Sequence, residues 1–352
     1  MNFTFVDESV AISRMPYQNA IHDLSQQFKA VVVLAEMHEM EYNIESWEKY
    51  NVDALWAPTQ DYTAPQLLQI YCIVKWIKNH VEKGEKVLVH CMGGKGRSGT
   101  IAVAYTIYTK HVNFNDALRL VRTVRRGAVE TWEQGKRLKT FETLLTALPE
   151  PKLTKIVETA EKYNYGRGIN HASKVTELSL TLWEQLKYET ELPKHCNVAL
   201  AAAAILHDIG VFISDLNHHE HTLKLIKENE NNIRQVFSES ECEAIAWTAY
   251  YHRTKAGDPR TNMKLKNNIK DVVTWSAAIL RLADALDHGL DQSVESVDLN
   301  FQANKLTIKT YCNNPCRHEI NRAVEKSMLL RSLINKEIIF EEVQVRELFN
   351  QR

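Results

Sequence analysis

Two spacings of apolar residues divide the chain. From residue 1 to residue 150, short apolar runs of strand length alternate with stretches of helical period. Lys29-Ala-Val-Val-Val-Leu-Ala35 reads as a buried strand. Ala64 to His80 reads as a helix, with Leu67, Leu68, Tyr71, Ile73, Val74 and Ile77 on its apolar side. Lys86-Val-Leu-Val-His90 reads as a second buried strand, announced by Gly84, and a glycine-rich turn then leads into a helix from Ser98 to Tyr108. This predicts an α/β domain with a strand–loop–helix at its centre.

Pro149 and Pro151 break the pattern. From Leu153 to about His288 the period is helical throughout. Val175, Leu178, Leu182 and Leu186 recur at three- and four-residue steps, and Val198 to Leu206 is alanine-rich and apolar all round, as a central buried helix is. Gly210 is placed as its stop. After Gly289 the pattern changes again: Val294–Leu299 and Leu306–Thr310 alternate like strands, Glu319–Leu333 is helical, and Ile338–Val343 reads as a third strand. The expected organisation is an α/β domain at 1–150, an all-α domain at 151–290 and a small α+β cap at 291–352.

Composition adds limits. The chain has 352 residues, 44% hydrophobic and 25% charged, which suits two globular domains. Its 43 basic and 44 acidic residues nearly cancel, so net charge gives no reason to expect nucleic acid or a membrane surface as partner. The first residues lack the basic-then-apolar order of a secretory signal, and the longest plainly apolar run, Val198–Leu206, is far shorter than a membrane span. Of the six cysteines only Cys312 and Cys316 are close in sequence. A reduced, cytoplasmic setting is expected.

The densest chemistry lies in His90-Cys91-Met92-Gly93-Gly94-Lys95-Gly96-Arg97-Ser98-Gly99-Thr100. A glycine-rich loop between a buried strand and a helix turns backbone N–H groups inward around a tetrahedral anion, with Gly93, Gly94, Lys95 and Gly96 as the phosphate cradle. The same field favours a thiolate at Cys91. Arg97 is suited to grip two phosphate oxygens, and Ser98 to donate to the thiolate as it leaves. Asp61, in Gln60-Asp-Tyr-Thr-Ala-Pro65, is placed as general acid, and Gln134 as a residue orienting water. Lys95 adds a second cation, which fits a substrate with more than one phosphate. No cofactor is expected at this site. Residues 1 to about 148 resemble the dual-specificity protein phosphatases. The match rests on this H-C-x5-R-[ST] loop, the Asp61-x-x-x-Pro65 segment, Ser13-Arg-Met-Pro16 and Val124-Arg-Arg-Gly127. Within that superfamily a lysine at position 95 resembles the inositol-lipid phosphatases.

A second constellation is His171, Leu206-His-Asp-Ile-Gly210 and Leu282-Ala-Asp284. Two histidines and two carboxylates, His171, His207, Asp208 and Asp284, suit a divalent ion such as Mn, Fe, Mg or Zn. His218 and His252 extend the set toward a second ion, and Arg253, Lys255 and Arg281 are candidate phosphate contacts. Residues 153 to about 345 resemble the HD superfamily of metal-dependent phosphohydrolases, in particular the C-terminal HD module of the exopolyphosphatase/guanosine-pentaphosphatase family. The shared pieces are Leu206–Gly210, His218-His-Glu-His-Thr222, Tyr251-His-Arg253 and Leu280–Asp287. That family's N-terminal actin-like domain has no counterpart here.

The resemblances imply a cysteine-phosphatase fold joined to an HD domain that holds one or two divalent ions. The expected function is a two-site phosphohydrolase. It acts on a multiply phosphorylated small molecule (an inositol polyphosphate, polyphosphate or phosphorylated nucleotide) through a phosphocysteine at Cys91 and a metal-activated water in the HD domain. Its rivals are a protein phosphatase regulated by a metal- or nucleotide-binding HD module, and an RNA-end phosphatase.

Overall fold

A computed structural model describes residues 3–345. The chain forms two compact units that divide between Thr143 and Leu144.

The first unit is built on a five-stranded sheet: β1 (Phe3–Phe5), β2 (Val10–Ser13), β3 (Ala30–Val33), β4 (Asp53–Trp56) and β5 (Val87–His90). Its order is β1-β2-β5-β3-β4, with β1 antiparallel to β2 and the other pairs parallel. Every residue of β2, β3 and β5 is buried, as parallel strands covered on both faces are. Ser13 and Val33 both pair with His90. Three strands therefore end level, and the chain leaves the central one at Cys91, on the carboxyl edge where α/β folds place ligands. Two short helices, α1 (Ile21–Ser25) and α2 (Glu45–Glu48), carry Ile21, Leu24 and Trp47 into one core with Val31, Val33 and Phe28. The sheet also packs against α3 (Leu67–Glu82) and α4 (Arg97–Lys110). The helix expected from Ala64 begins at Leu67, because Pro65 disfavours helical backbone at Ala64 and Gln66 caps the turn through a reciprocal box with Gln69. α5 (Phe114–Val124) follows, and α6 (Trp132–Ala147) runs across the boundary of the unit.

The second unit opens with α7 (Glu150–Glu161), α8 (Ile169–Leu186) and α9 (Cys196–Leu206). α10 (His218–Glu228), α11 (Glu230–Ile233), α12 (Glu239–Tyr250) and α13 (Asn267–Ala285) complete the helical part. α9 is the axis: it packs against α7, α8, α12 and α13, and Val198 to Leu206 is buried throughout. Its four consecutive alanines, Ala201–Ala204, let neighbouring helices approach closely. The helix ends at Leu206, before Gly210; a short turn, Ile209–Phe212, contains that glycine.

β6 (Val294–Phe301) and β7 (Lys305–Cys312) are antiparallel, and β8 (Glu337–Gln344) returns parallel to β7. A parallel return needs a crossover, supplied by α14 (Arg317–Lys326) and α15 (Met328–Ile334), two helices where one was expected. Cys312 and Cys316 are joined by a disulfide, their Cα atoms 6.1 Å apart across the turn from β7 into α14. Reduced thiols were the expectation there. The architecture is thus an α/β unit followed by a helical unit with a small α+β part.

Candidate active sites

Cys91 is buried at the end of β5. The Gly94 N–H donates to its Sγ at 3.2 Å, and the Ser98 hydroxyl lies 3.4 Å from the same sulfur. Gly94 has φ +71, and a Cβ there would sit 2.5 Å from the backbone of Ser13 and Arg14, so only glycine lets the loop fold this tightly onto β2. Arg125, from the Val124–Gly127 motif, braces the loop by donating to the Gly94 carbonyl at 2.9 Å. Gly93 and Lys95 are exposed and Gly96 is buried, immediately before the first residue of α4.

Arg97 is buried and held from three directions. Its terminal nitrogens donate to both oxygens of Glu39 at 2.6 and 2.7 Å, to the Thr59 carbonyl at 2.7 Å, and lie 3.0 Å from the Asp61 carboxylate. Its Nε is buried with no hydrogen-bond partner among the described residues. Burial would lower the guanidinium's pKa, but Glu39, Cys91 and Asp61 outweigh it and raise it. Arg97 in turn pulls Glu39 below the usual carboxylate range. The structure thus brings Cys91, Arg97, Ser98 and Asp61 together, with half of the Asp61 side chain open to solvent. Gln134 is fully buried: its Oε1 accepts from the Glu130 and Thr131 N–H groups and its Nε2 donates to the Thr63 carbonyl. It staples the segment after Asp61 in place; the water-orienting role expected for it does not fit an amide committed to three backbone groups.

His90, which precedes Cys91, bonds the Tyr42 hydroxyl at 2.7 Å. Burial pushes its pKa down to about 4, so it stays neutral at physiological pH.

In the second unit, six predicted ligands converge from five elements. His171 lies in the first turn of α8, His207 and Asp208 follow α9, His218 opens α10, His252 follows α12, and Asp284 is in the last turn of α13. All six are buried. The ligand atoms of His171, His207 and Asp284 lie within 4.8 Å of one another, as do those of Asp208, His218 and His252. Asp208 bridges the two groups, 3.1 Å from His218 and 3.5 Å from His171.

Tautomers test whether this set fits a cation. The Nδ1 atoms of His207, His218 and His252 face the carbonyls of Ala204, Asp215 and Ala249 at 2.9, 3.0 and 2.6 Å. His171 Nδ1 faces the Asp287 carboxylate at 2.8 Å. Carbonyl and carboxylate oxygens only accept, so each Nδ1 carries a proton and each ring turns its Nε2 toward the cluster. The Nε2 atoms meet in pairs, at 3.2 Å between His171 and His207 and 3.0 Å between His218 and His252. A divalent ion set among these nitrogens and the Asp208 and Asp284 carboxylates would be bound by both ligand types. Burial would raise Asp208 and Asp284, but the surrounding imidazoles, and Lys326 at 2.5 Å from Asp284, hold both well below the ordinary carboxylate range. The residue set therefore fits one or two divalent ions.

Four contributors had not been singled out from sequence: Glu39, Arg167, Asp287 and Lys326. Arg167 bonds Asp208 at 2.9 Å and also pairs with Asp215. Asp287 is fully buried and fixes the His171 tautomer, the carboxylate–histidine arrangement common behind metal ligands. Its signal was present, since it stands one helical step after Asp284. Gly166 (φ +75) lets its strand of loop touch the site: a Cβ there would lie 1.8 Å from the Asp208 carbonyl. Arg281 does not reach the cavity. It donates to the carbonyls of Tyr251, Arg253 and Gly257 at 2.7, 3.3 and 2.6 Å and fixes the turn after α12. Its predicted phosphate contact is ruled out by that commitment.

With this geometry in hand, the comparisons are specific. The family model for the dual-specificity phosphatase catalytic domain matches residues 15–143, and that for Ppx/GppA phosphatase domain III matches residues 154–322. Phosphatidylglycerophosphate phosphatase PTPMT2 of Arabidopsis thaliana is 28% identical over 147 residues, 41% of this chain and 64% of that protein. Phosphatidylglycerophosphatase and protein-tyrosine phosphatase 1 of Mus musculus is 26% identical over 148 residues, 40% of this chain and 77% of that one. The chain therefore spans less than two thirds of the Arabidopsis relative. A crystal structure of Tk-PTP in the active form is 46% identical with a TM-score of 0.39, covering 40% of this chain and 95% of that one. Among the described residues no helix is long and apolar enough to cross a membrane. Residues 15–143 thus carry a dual-specificity phosphatase catalytic domain and residues 154–322 a domain III of the Ppx/GppA phosphatases, two domains that both come from phosphatase families.

Proposed function

We propose that the chain is a two-site phosphohydrolase acting on a multiply phosphorylated small molecule. What carries this reading is that each unit gathers a whole reaction set: Cys91, Ser98, Arg97 and Asp61 in one, four imidazoles and two carboxylates in the other.

At the first site the Cys91 thiolate attacks phosphorus, forming the S–P bond as the ester P–O bond breaks. Arg97, through its unpartnered Nε–H and a terminal N–H, stabilises the equatorial oxygens. Asp61 gives its proton to the leaving alkoxide. Water then attacks the phosphocysteine, Asp61 takes the water's proton, and the Ser98 hydroxyl donates to the departing thiolate. Glu39 keeps the guanidinium aimed. Lys95, exposed on the same loop, supports a substrate with a second phosphate. The names of the relatives add phosphorylated glycerol head groups to the candidates.

At the second site, His171, His207 and Asp284 would hold one ion and Asp208, His218 and His252 another. A divalent ion there supplies Lewis acidity toward a phosphoryl oxygen and a water. The chain's own part is to present four imidazole Nε2 atoms, with Asp287 locking one ring and Arg167 orienting Asp208.

The test is a panel of phosphate esters and anhydrides, assayed on wild type, Cys91→Ser and Asp208→Ala, each with and without chelator. Chelator-resistant activity lost only in Cys91→Ser, and chelator-sensitive activity lost only in Asp208→Ala, are expected. If all activity disappears in Cys91→Ser and none responds to chelator, the second site is not hydrolytic.

A further inference from the structure

The cavity over the imidazole cluster measures about 570 Å³, far more than two ions and their waters need, a water taking about 30 Å³. Five cations line it beside the ligands: Arg167, Arg253, Lys255, Arg322 and Lys326. They come from three places in the chain. Arg167 precedes α8, Arg253 and Lys255 lie in the turn after α12 that Arg281 fixes, and Arg322 and Lys326 lie one helical step apart on α14. Four carboxylates face them, but Asp208 and Asp284 are the two offered to an ion. Only Asp215 and Glu325 remain against the five cations.

Two details point these groups at a ligand. Lys326 sets its ammonium 2.5 Å from Asp284 and so reaches the reaction centre itself. Arg322 bonds Glu325 at 2.9 Å, yet its buried Nε has no hydrogen-bond partner among the described residues. An unspent guanidinium N–H beside a wide anion-attracting cavity is a place for a phosphate oxygen.

We propose that α14 is the specificity element of the second site. Arg322 and Lys326, with Lys255 and Arg253 opposite, grip the phosphate that is not being cleaved. The site therefore takes ligands with two or more adjacent phosphates in preference to an isolated monoester. A phosphate monoester carries about −1.5 to −2 charges at pH 7, too few to meet this wall. The inference rests on the reading of the cluster as a metal-assisted phosphohydrolase site, and it makes the α+β cap part of that site.

The experiment is calorimetric titration of the full-length chain, carrying Cys91→Ser to stop thiol chemistry, with methylenediphosphonate and with methylphosphonate, in the presence and absence of Mn. The diphosphonate is expected to bind at least about tenfold tighter than the monophosphonate. Arg322→Gln and Lys326→Met are each expected to remove about tenfold from diphosphonate affinity and less than about twofold from monophosphonate affinity. Lys224→Gln, an exposed residue away from the cavity, is the control and is expected to change neither. If an α14 variant fails to fold, Lys255→Gln on its exposed turn carries the same test. A diphosphonate preference that survives all these variants overturns the proposal, even if Mn is bound. Absence of any Mn effect together with an ion-free protein overturns the underlying metal reading instead, and loss of the preference in the variants would still support the anion wall.

Discussion

Glu39 and Arg97, 58 positions apart, form a two-pronged ion pair at 2.6 and 2.7 Å behind the Cys91 loop. The carboxylate fixes the plane of the guanidinium and leaves Nε with no hydrogen-bond partner among the described residues. Glu39→Gln keeps the shape but removes one acceptor and the charge. Hydrogen bonds to charged groups contribute about 1.5–3 kcal/mol each, so a fall in stability of that order is expected. The thiol-dependent kcat/KM should drop with it, because Arg97 loses its aim. Thermal melting and steady-state kinetics on an aryl phosphate check both; unchanged kinetics would show that Arg97 aims itself.

Asp61→Asn should slow thiol-dependent turnover of an alkyl phosphate by about 10²–10⁴-fold and of an aryl phosphate with a good leaving group by much less. The alkaline limb of the pH–rate profile, where a general acid loses its proton, should change in the same variant. An identical loss with both leaving groups would place Asp61 as a partner of Arg97 only.

His90 predicts a pH dependence of stability. Burial holds its folded pKa down at about 4, against about 6.5 for an exposed histidine. Between those values the unfolded chain takes up a proton that the folded chain refuses, so unfolding is favoured as pH falls. The first unit should lose up to about 1.4 kcal/mol per pH unit from pH 6.5 toward pH 4, and nothing from this source above pH 6.5. Urea unfolding followed through Cys91-dependent activity measures the slope. His90→Asn should flatten it.

Gly166→Ala should injure the second unit and spare the first. The left-handed backbone alone costs an alanine about 1–2 kcal/mol. The added Cβ must also displace the Asp208 carbonyl from 1.8 Å. Metal content and chelator-sensitive activity are expected to fall together, while Cys91-dependent activity persists. Full metal content in this variant would mean that the loop yields without moving Asp208.

Both halves were legible where chemistry and chain order coincide. The Cys91 loop is contiguous, and the buried strand before it and the helix after it announce themselves by period. Of the six candidate ligands, His171 and the His207–Asp208 pair sit at helix ends that the apolar pattern marks. Glu39 could not be found this way: it lies on a short turn with no periodicity, and only the fold carries it to Arg97. Lys326 is hidden for the same reason, since its partner Asp284 is 42 positions away. Arg281 misled because charge was read without its setting. Its neighbours Ala277–Leu280 and Leu282–Ala283 are all buried, and an arginine in such company turns to backbone carbonyls instead of solvent.

The alanine axis α9 has a consequence for how the second site can fail. Ligands from the ends of neighbouring helices are spaced by what lies between those helices, and along Ala201–Ala204 that is one methyl group per residue. A bulkier side chain there would leave the fold enough contacts to survive but would spread the imidazoles by a fraction of an ångström. Coordination falls off steeply with distance, whereas packing yields gradually. Harm to this core should therefore show first as metal lost on dialysis from a protein that still melts cooperatively, so that metal retention is the more sensitive gauge of how well α9 is packed.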